Sequence, residues 1–506
     1  MPKFYITTAI DYPNGDPHLG HALEKVGADC IARYRRLRGD AVHFVMGMDE
    51  NAQKVAQAAE RAGVDPEEWV RTLAERFNAT WRRLECSHDQ FIRTTEPRHH
   101  RATVALIERI RANNPDDLFV GEYEGLYCIG CEEFKTEAQI VDGHCEEHPN
   151  LELIHTKERN YFFRLSRWRD EVLARIRSGE FKVEPEIRRN EVLRVLEDGL
   201  QDISISRQRL SWGIPFPGDA EHTVYVWFDA LINYLSATGF PDPGYERLWP
   251  ADLHVIGKGI TRFHCIIWPA MLLSAGIALP REVWAHGYVQ WGGAKVSKSA
   301  GTAVSLDEAI ARHGPDALRY FLLREVGFAA DGNFTWERFD ERYTADLADG
   351  LGNLASRSLA MLARYRDGRV PAKGADTPLE QAGRGAVDRY ARAMDALDLR
   401  AGAEAVWALV SDANSYIQQA APWTLAKEGR DAELDQVLGT LARCLYRLAV
   451  LSSPFTPGKS QALWDALGMQ GNAGLGAGRW ESLAEPPVAG VATNKPEVLF
   501  PKPAPA

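Results

Sequence analysis

The spacing of apolar residues changes character three times along the chain. Residues 3–10, KFYITTAI, form a β-rich run that ends in the turn-rich DYPNGDP. From about His18 to Arg38 apolar positions recur at helical spacing. AVHFVMGMD reads as a second strand ending at Asp49, and an Ala-rich helix begins near Asn51 and runs to about Ala62. Strand, Gly/Pro turn, helix, strand, helix predicts the start of a parallel α/β sheet, whose ligands sit beyond the carboxyl ends of the strands. Segments 5–21 and 47–51 fall there. From about Leu118 to Lys157 the pattern breaks into short β runs around a knob. The α/β alternation resumes with HTVYVWFDALINYL (222–235) and DLHVIGKGITRFHCIIWPAML (252–272), and WAHGYVQW (284–291) reads as a further strand. After about Thr344 the strands vanish. ADLADGLGNLASRSLAMLARY, AVDRYARAMDALDLRAGAEAVWALVSDANSYIQQ and LDQVLGTLARCLYRLAVLSS keep helical period and predict a separate bundle. The Pro- and Gly-rich end predicts an irregular tail, and no internal repeat is visible.

Composition narrows this picture. The 506 residues predict roughly three domains, at about 150 residues each. Lys and Arg total 59 against 70 Asp and Glu, a net charge of −11. That balance argues against a chain coated in basic charge, such as a non-specific DNA binder, but leaves room for a local basic patch. MPKFYITTAIDYPNG lacks the apolar run of a secretory signal. The longest uncharged apolar stretch, Cys265 to about Pro280, is shorter than the roughly 20 residues of a spanning helix. Pro269 and Gly276 interrupt it, so it predicts a buried helix. Seven cysteines disfavour a disulfide framework, and Cys30, Cys86, Cys265 and Cys444 read as scattered buried thiols. A cytoplasmic protein with no membrane partner is expected.

Three clusters carry chemistry. Cys128-x₂-Cys131, thirteen residues, then Cys145-x₂-His148 offers three thiolates and one imidazole, the set of a closed tetrahedral and therefore structural zinc site. Metal binding there supplies on the order of 10 kcal/mol of ordering to a poorly cored knob. Pro17-His18-Leu19-Gly20-His21 puts two imidazoles at i and i+3 of a helix start, where the dipole favours anions and Gly20 leaves room for a ribose or base. Taken alone it is equally a capping sequence. Lys295-Val296-Ser297-Lys298-Ser299, flanked by glycines, reads either as a solvated loop or as a cationic loop that closes on a triphosphate.

Together, HLGH and KVSKS resemble the paired signatures of class I aminoacyl-tRNA synthetases. YITTAIDYPNGDPHLGHALE, GEYEGLYCIGCEEF, NYFFRLS, SISRQRLSWGIPFP, VYVWFDALINYL, FHCIIWPAML, DALRYFLLRE and DLADGLGNLASR narrow the resemblance to the methionyl-tRNA synthetase family, over roughly residues 3 to 470. It implies a split Rossmann-type parallel sheet with a zinc-bearing insertion, followed by an all-α anticodon-binding bundle. The implied divisions are 1–117 and 201–300 for the catalytic halves, 118–200 for the insertion, 301–345 for a lysine-loop linker, 346–480 for the bundle and 481–506 for a tail packing back on the catalytic domain. The implied reaction joins L-methionine to tRNA(Met) through a methionyl-adenylate made from ATP.

The resemblance also implies roles. Ile10, Tyr12, Trp227, Ala230, Leu231, Tyr234, Ile260 and His264 match the thioether pocket, and Asp49 the carboxylate that pairs with the substrate ammonium. Polarizable sulfur suits such aromatic walls. Pro17, His18, Gly20, His21, Lys295, Ser297 and Lys298 match the ATP site, with His18, His21, Lys295 and Lys298 catalytic and Mg²⁺ accompanying ATP. The zinc knuckle helps orient the tRNA acceptor end. Asn353, Arg357 and Trp423 match the anticodon readers, and a single-stranded loop is read by such stacking and edge contacts. A monomer is expected. Four departures stand out: Val296 for the usual Met, Asn51-Ala52 for His-Gly, Gly259 for Asp, and Asp11 for Pro or Tyr. Two other readings compete. One is a related nucleotidyl-transferring enzyme that uses no tRNA, opposed by Asn353, Arg357 and Trp423. The other is a non-catalytic zinc-knuckle RNA binder, opposed by HLGH and KVSKS.

Overall fold

A computed structural model describes the chain except residues 14, 129, 131–132, 136–139, 147–148, 209–211, 292–293, 296–304, 373–375, 470–474, 476–478, 495–496 and 503–506. Six strands form its main sheet: β1 (Lys3–Thr8), β2 (Ala41–Met48), β3 (Gln90–Arg93), β4 (Lys182–Glu184), β5 (Leu253–Gly257) and β6 (Glu282–His286). Their order is β3-β2-β1-β5-β6-β4, and every pairing is parallel. A parallel sheet is covered on both faces, and strand alternation sends neighbouring residues to opposite sides. Tyr5 and Val45 join one core with Leu106, Ile107 and Ile110 of the helix Pro97–Asn113. Ile6, Phe44 and Met46 join the other, with Leu23, Val26 and Ile31 of helix α1 (Leu19–Leu37). Each such fully buried side chain contributes about 1.5–3 kcal/mol. Strand order reverses between β1 and β5, so the ligand crevice opens there.

Strand β4 corrects the expected division at 118–200, because it returns to the main sheet and pairs Val183 with Val283. Three residues flanked by charge are too short for alternation to show. The inserted part is built on two long antiparallel strands, Leu118–Cys128 and Ile154–Phe163, rather than on short ones. The run 284–291 is likewise two strands. β6 ends at His286, and Val289–Trp291 pairs with Gly332–Phe334 in a separate sheet. The break is at Gly287, where a Cβ would lie 2.2 Å from the Ala330 backbone.

The second half is helical: α2 (Asn353–Arg366), α3 (Pro378–Asp395), α4 (Leu399–Ala420), α5 (Asp431–Ser452) and α6 (Pro457–Ala466). Thr377 caps α3 by accepting from the Glu380 amide, with Pro378 at the first helical position. Asp398 caps α4 through Ala401. Buried Arg319 ties the halves together. It donates to Asp29 on α1 at 2.7 Å, to the Leu84 carbonyl at 2.9 Å and to the Pro454 carbonyl at 2.8 Å.

The tail overturns its expected placement. Its described residues pack on the helical half, not on the catalytic sheet. The Arg447 guanidinium donates to the Leu483 carbonyl, Val370 to Val491, and Tyr343 to the Pro501 carbonyl, while Lys502 pairs with Asp349. Apolar Leu483, Val488, Leu499 and Phe500 are buried, which draws this segment onto the nearer apolar surface of the bundle. Trp480, just before it, does reach α1, lying under the Arg38 guanidinium at 4.8 Å. The apolar stretch after Cys265 is buried, as a π-helical turn Phe263–Ile267 followed by the helix Trp268–Ser274. Among the described residues no helix is long and apolar enough to cross a membrane.

Candidate active site and a second cleft

At the carboxyl end of β1 the chain continues as Ala9 to Tyr12 and knits β2 to β5. Ala9 donates to the Val255 carbonyl, Asp11 to the Gly47 carbonyl, and Asp49 back to the Asp11 carbonyl at 2.9 Å. This lattice sets Asp49, buried, beside the end of β1. Here one cavity is lined by all nine pocket residues expected from sequence: Ile10, Tyr12, Asp49, Trp227, Ala230, Leu231, Tyr234, Ile260 and His264. Ala9 and Phe263 line it too and were not anticipated. Phe263 stacks on Trp227 at 4.7 Å between ring centres, and Trp227 lies parallel to Tyr12 at 6.4 Å, so one wall is three layered rings. Phe263 opens the π-helical turn, a local widening that apolar periodicity does not reveal.

The polar edge of the cavity is fixed by one imidazole. His264 Nδ1 donates to the Ile260 carbonyl at 3.0 Å, so its Nε2 accepts from the Tyr234 hydroxyl at 2.6 Å. Burial pushes His264 down to about 4 and pushes the Tyr234 hydroxyl well up, so both are neutral at pH 7. Both ring nitrogens and the hydroxyl proton are committed within the protein. At this edge the cavity therefore presents rings and the Tyr234 oxygen, with the Tyr234 proton already donated to His264 in a hydrogen bond.

Beside this cavity, His18 is the N-cap of α1. Its Nδ1 accepts from the Gly20 amide at 3.1 Å, and His21 Nδ1 accepts from the His18 amide at 3.3 Å. The two rings stack with centres 3.8 Å apart. A Cβ on Gly20 would lie 3.0 Å from the His18 ring, so the glycine makes room for that imidazole. Ser305 forms an antiparallel bridge with His18. Lys295 sits in the short strand Ala294–Lys295 against Val289–Trp291. Both flanks of the lysine segment are therefore anchored, one of them on the HLGH turn; Ser297 and Lys298 lie outside the described residues. Pro17 directly precedes the cap.

Three of the four departures, at Asp11, Asn51 and Gly259, have a local counterpart; Val296 lies outside the described residues. Asp11 pairs with Lys25 at 3.0 Å and accepts from the Trp81 indole at 2.9 Å. Lys25 also holds Glu24 at 2.8 Å and the Ala9 carbonyl at 2.6 Å, and Glu24 faces His286 at 3.1 Å. Burial opposes charge on Glu24, but Lys25 and His286 together hold it down at about 2. Asn51 donates to Asp229 at 2.8 Å and to the Thr94 carbonyl at 3.1 Å. Asp229 is fully buried, which raises its pKa. Gly259 faces Tyr288, whose hydroxyl oxygen would be 2.1 Å from an added Cβ.

Of the four expected zinc ligands, Cys128 and Cys145 are described, and both are buried. Cys128 ends its strand, and Cys145 closes the hairpin Ile140–Val141, His144–Cys145. Cys131 and His148 lie outside the described residues.

A second, open cleft of about 500 Å³ lies in the helical half. Asn353 and Arg357 share its wall, one turn apart on α2, facing Trp407, Asn414 and Gln418. Its acids are already engaged: Asp346 with Tyr320 and Arg342, Asp349 with Lys502. Among the described residues the Arg357 side chain makes no hydrogen bond or ion pair. Trp423 does not line this cleft. It stands 44% exposed in the helix Pro422–Lys427, just past the end of α4.

Known proteins resemble this chain in sequence and fold. A family model described as tRNA synthetases class I (M) matches residues 4–152 and 150–359. Another, the anticodon binding domain of methionyl tRNA ligase, matches residues 370–504. The methionine--tRNA ligase of Thermotoga maritima is 42% identical over 471 residues, covering 91% of this chain and 75% of that protein. The methionine--tRNA ligase of Streptomyces coelicolor is 40% identical over 525 residues, covering 99% and 96%. A solved structure of Mycobacterium tuberculosis methionyl-tRNA synthetase in complex with methionyl-adenylate matches with a TM-score of 0.93 at 40% identity, over 99% of this chain and 100% of that one. On this evidence the chain belongs to the methionyl-tRNA synthetase family of class I tRNA synthetases.

Proposed function

We propose that this chain is a methionine--tRNA ligase. It activates L-methionine with ATP to methionyl-adenylate and pyrophosphate, then transfers the methionyl group to the terminal adenosine of tRNA(Met). The observation that carries this reading is the single cavity in which layered rings, a neutral Tyr234–His264 pair and buried Asp49 meet. Rings and an uncharged oxygen edge suit an unbranched thioether, while the carboxylate suits an ammonium. A relative bound to methionyl-adenylate has the same fold along its whole length.

In the first step Asp49 holds the substrate ammonium, which aims the carboxylate at the α-phosphorus. The bond to the bridging oxygen breaks and pyrophosphate departs. His18 and His21 stabilise the in-line transition state from the start of α1, and Lys295, Ser297 and Lys298 hold the departing phosphates. Mg²⁺ supplies further charge neutralisation when ATP binds. In the second step a terminal ribose hydroxyl of tRNA attacks the adenylate carbonyl and AMP leaves. No side-chain nucleophile is required, so catalysis is positioning plus charge stabilisation. Asn353 and Arg357 read anticodon base edges, and Trp423 supplies a stacking platform at their periphery.

One zinc held by Cys128, Cys131, Cys145 and His148 orders the insertion. Two buried thiols brought in by a strand end and a hairpin support this assignment. The enzyme acts as a cytoplasmic monomer. Charging is the direct test: radiolabelled methionine should be esterified to tRNA(Met) and not to a non-cognate tRNA, and no label on tRNA(Met) would refute the reading. Elemental analysis of Cys128→Ser should show zinc lost; full retention would refute the metal site.

A further inference from the structure

A buried chain of charged groups runs behind the candidate active site. Lys25 lies on α1, one turn past His21. Its side chain is 1% exposed, and its ammonium meets three acceptors: the Ala9 carbonyl at 2.6 Å, Glu24 at 2.8 Å and Asp11 at 3.0 Å. An ammonium carries three protons, so the set matches its capacity. Asp11 is held from the other side by the indole of Trp81, in the helix Pro66–Arg83, at 2.9 Å. Glu24 faces His286 Nε2 at 3.1 Å, and His286 Nδ1 donates to the Gly287 carbonyl at 2.7 Å. The chain thus crosses from the helix Pro66–Arg83, through the end of β1 and α1, to the end of β6.

Fold stability alone does not call for such a chain. Desolvating buried ions offsets most of their mutual attraction, and apolar residues of similar volume hold a fold as well or better. What the ions supply is direction, and both ends of Lys25 lead to groups of the proposed reaction. Its backbone belongs to α1, whose start carries His18 and His21. Its ammonium grips segment 9–11. Ala9 and Ile10 line the cavity, as does Tyr12 just beyond, and the Asp11 carbonyl accepts from the Asp49 amide at 2.9 Å. A Pro or Tyr at position 11, usual in the family, has no carboxylate to pair with Lys25. For adenylate formation the amino-acid carboxylate has to approach the α-phosphorus to within about 3–3.5 Å. A rigid link between the cavity wall and the helix that bears the histidines sets that approach.

We propose that Lys25, fixed by Asp11, is a positioning residue for adenylate formation: it holds the start of α1 at the distance from the cavity that brings the two reactants into line. The proposal rests on the ATP-dependent reaction set out above and deepens it. Lys25 acts through Ala9, Asp11 and the helix, not by touching either substrate.

The test is methionine-dependent ATP–pyrophosphate exchange by Asp11→Leu with Lys25→Met, an apolar replacement of the pair, and by Asp11→Asn, which keeps an acceptor for Lys25 and Trp81. In the double variant kcat should fall about a hundredfold, the scale of a misplacement near 1 Å. KM for methionine and for ATP should stay within about threefold of wild type, because each ligand's own site is intact. The denaturation midpoint should be equal or higher. Asp11→Asn should keep kcat within about threefold. Transfer from preformed methionyl-adenylate to tRNA, measured in a single turnover, should run at the wild-type rate in both variants. Should the double variant fail to fold, Asp11→Ala, which leaves Lys25 two of its three acceptors, should lower kcat about tenfold with both KM values unchanged. Wild-type kcat in the double variant, or in Asp11→Ala where that replaces it, overturns the proposal. So does a kcat loss matched by an equal loss in transfer, which marks a general structural defect. Absence of exchange in the wild-type chain overturns the functional reading itself, and this proposal with it.

Discussion

The cavity proposed for methionine and the cleft proposed for the anticodon differ in how far their polar groups are already committed. In the pocket the polar edge is engaged before any ligand arrives: His264 is bonded on both nitrogens, the Tyr234 hydroxyl donates its hydrogen bond to His264, and Asp49 is buried at a strand end. In the cleft the reverse holds. Asn353 is exposed, Arg357 is half-buried with no protein partner among the described residues, and the nearby acids are neutralised by Arg342 and Lys502. A small thioether offers few polar handles, so enclosure by a rigid wall has to select it. Splayed bases offer many, so the protein leaves donors uncommitted for them. On the proposed reading the acidic charge of the chain fits too: a few placed cations such as Arg357 would meet the tRNA, and the acidic remainder would discourage indiscriminate RNA binding.

This contrast can be broken from either side. The largest effect belongs to Asp49→Ala. Removing the partner of a buried ammonium costs about 3 kcal/mol, so methionine-dependent exchange should fall by roughly a hundredfold or more. Near-normal exchange in this variant would remove Asp49 from the site. Next come Arg357→Ala and Trp423→Ala, each worth about 1–3 kcal/mol at a nucleic-acid contact. Aminoacylation should drop about tenfold or more, with exchange in the absence of tRNA untouched. Equal loss in both assays would mean the two regions are not separate devices. Comparing the two variants also sharpens the geometry, because Arg357 lines the cleft and Trp423 does not.

The smallest effect is a pH dependence confined to the pocket. Burial lowers the His264 pKa from 6.5 to about 4, so the folded protein holds the ring neutral where the unfolded chain would protonate it. Its contribution to stability is complete above about pH 6.5 and is lost as pH falls through about 4. Protonation also removes the acceptor for the Tyr234 hydroxyl. Methionine affinity, read by equilibrium binding, should be flat from pH 8 to about 6 and weaken only toward pH 4. An inflection near 6.5 would show a solvated His264.

Much of this fold is legible in the sequence. β1, α1 and β2 lie within a few residues of their expected limits, because long regular segments with strong periodicity announce themselves. All nine pocket positions share one cavity because they sit at strand and helix ends that the α/β order brings together. What escaped notice was set by tertiary contact. Lys182–Glu184 is a strand only because β6 offers it an edge. The break at Gly287 reflects the backbone of Ala330, more than forty positions away in sequence. Phe263 enters the pocket on a π turn, and the tail settles on the bundle because its buried apolar residues find their partners there. Asp11, visible only as an oddity, finds its explanation in Lys25.

The central claim is that an enclosed pocket, acting without tRNA, selects methionine. ATP–pyrophosphate exchange by the wild-type chain, run with each of the twenty amino acids and no tRNA, measures this directly. The account predicts exchange with methionine far above every other amino acid. Comparable exchange with a different amino acid, or none until tRNA is added, would contradict it.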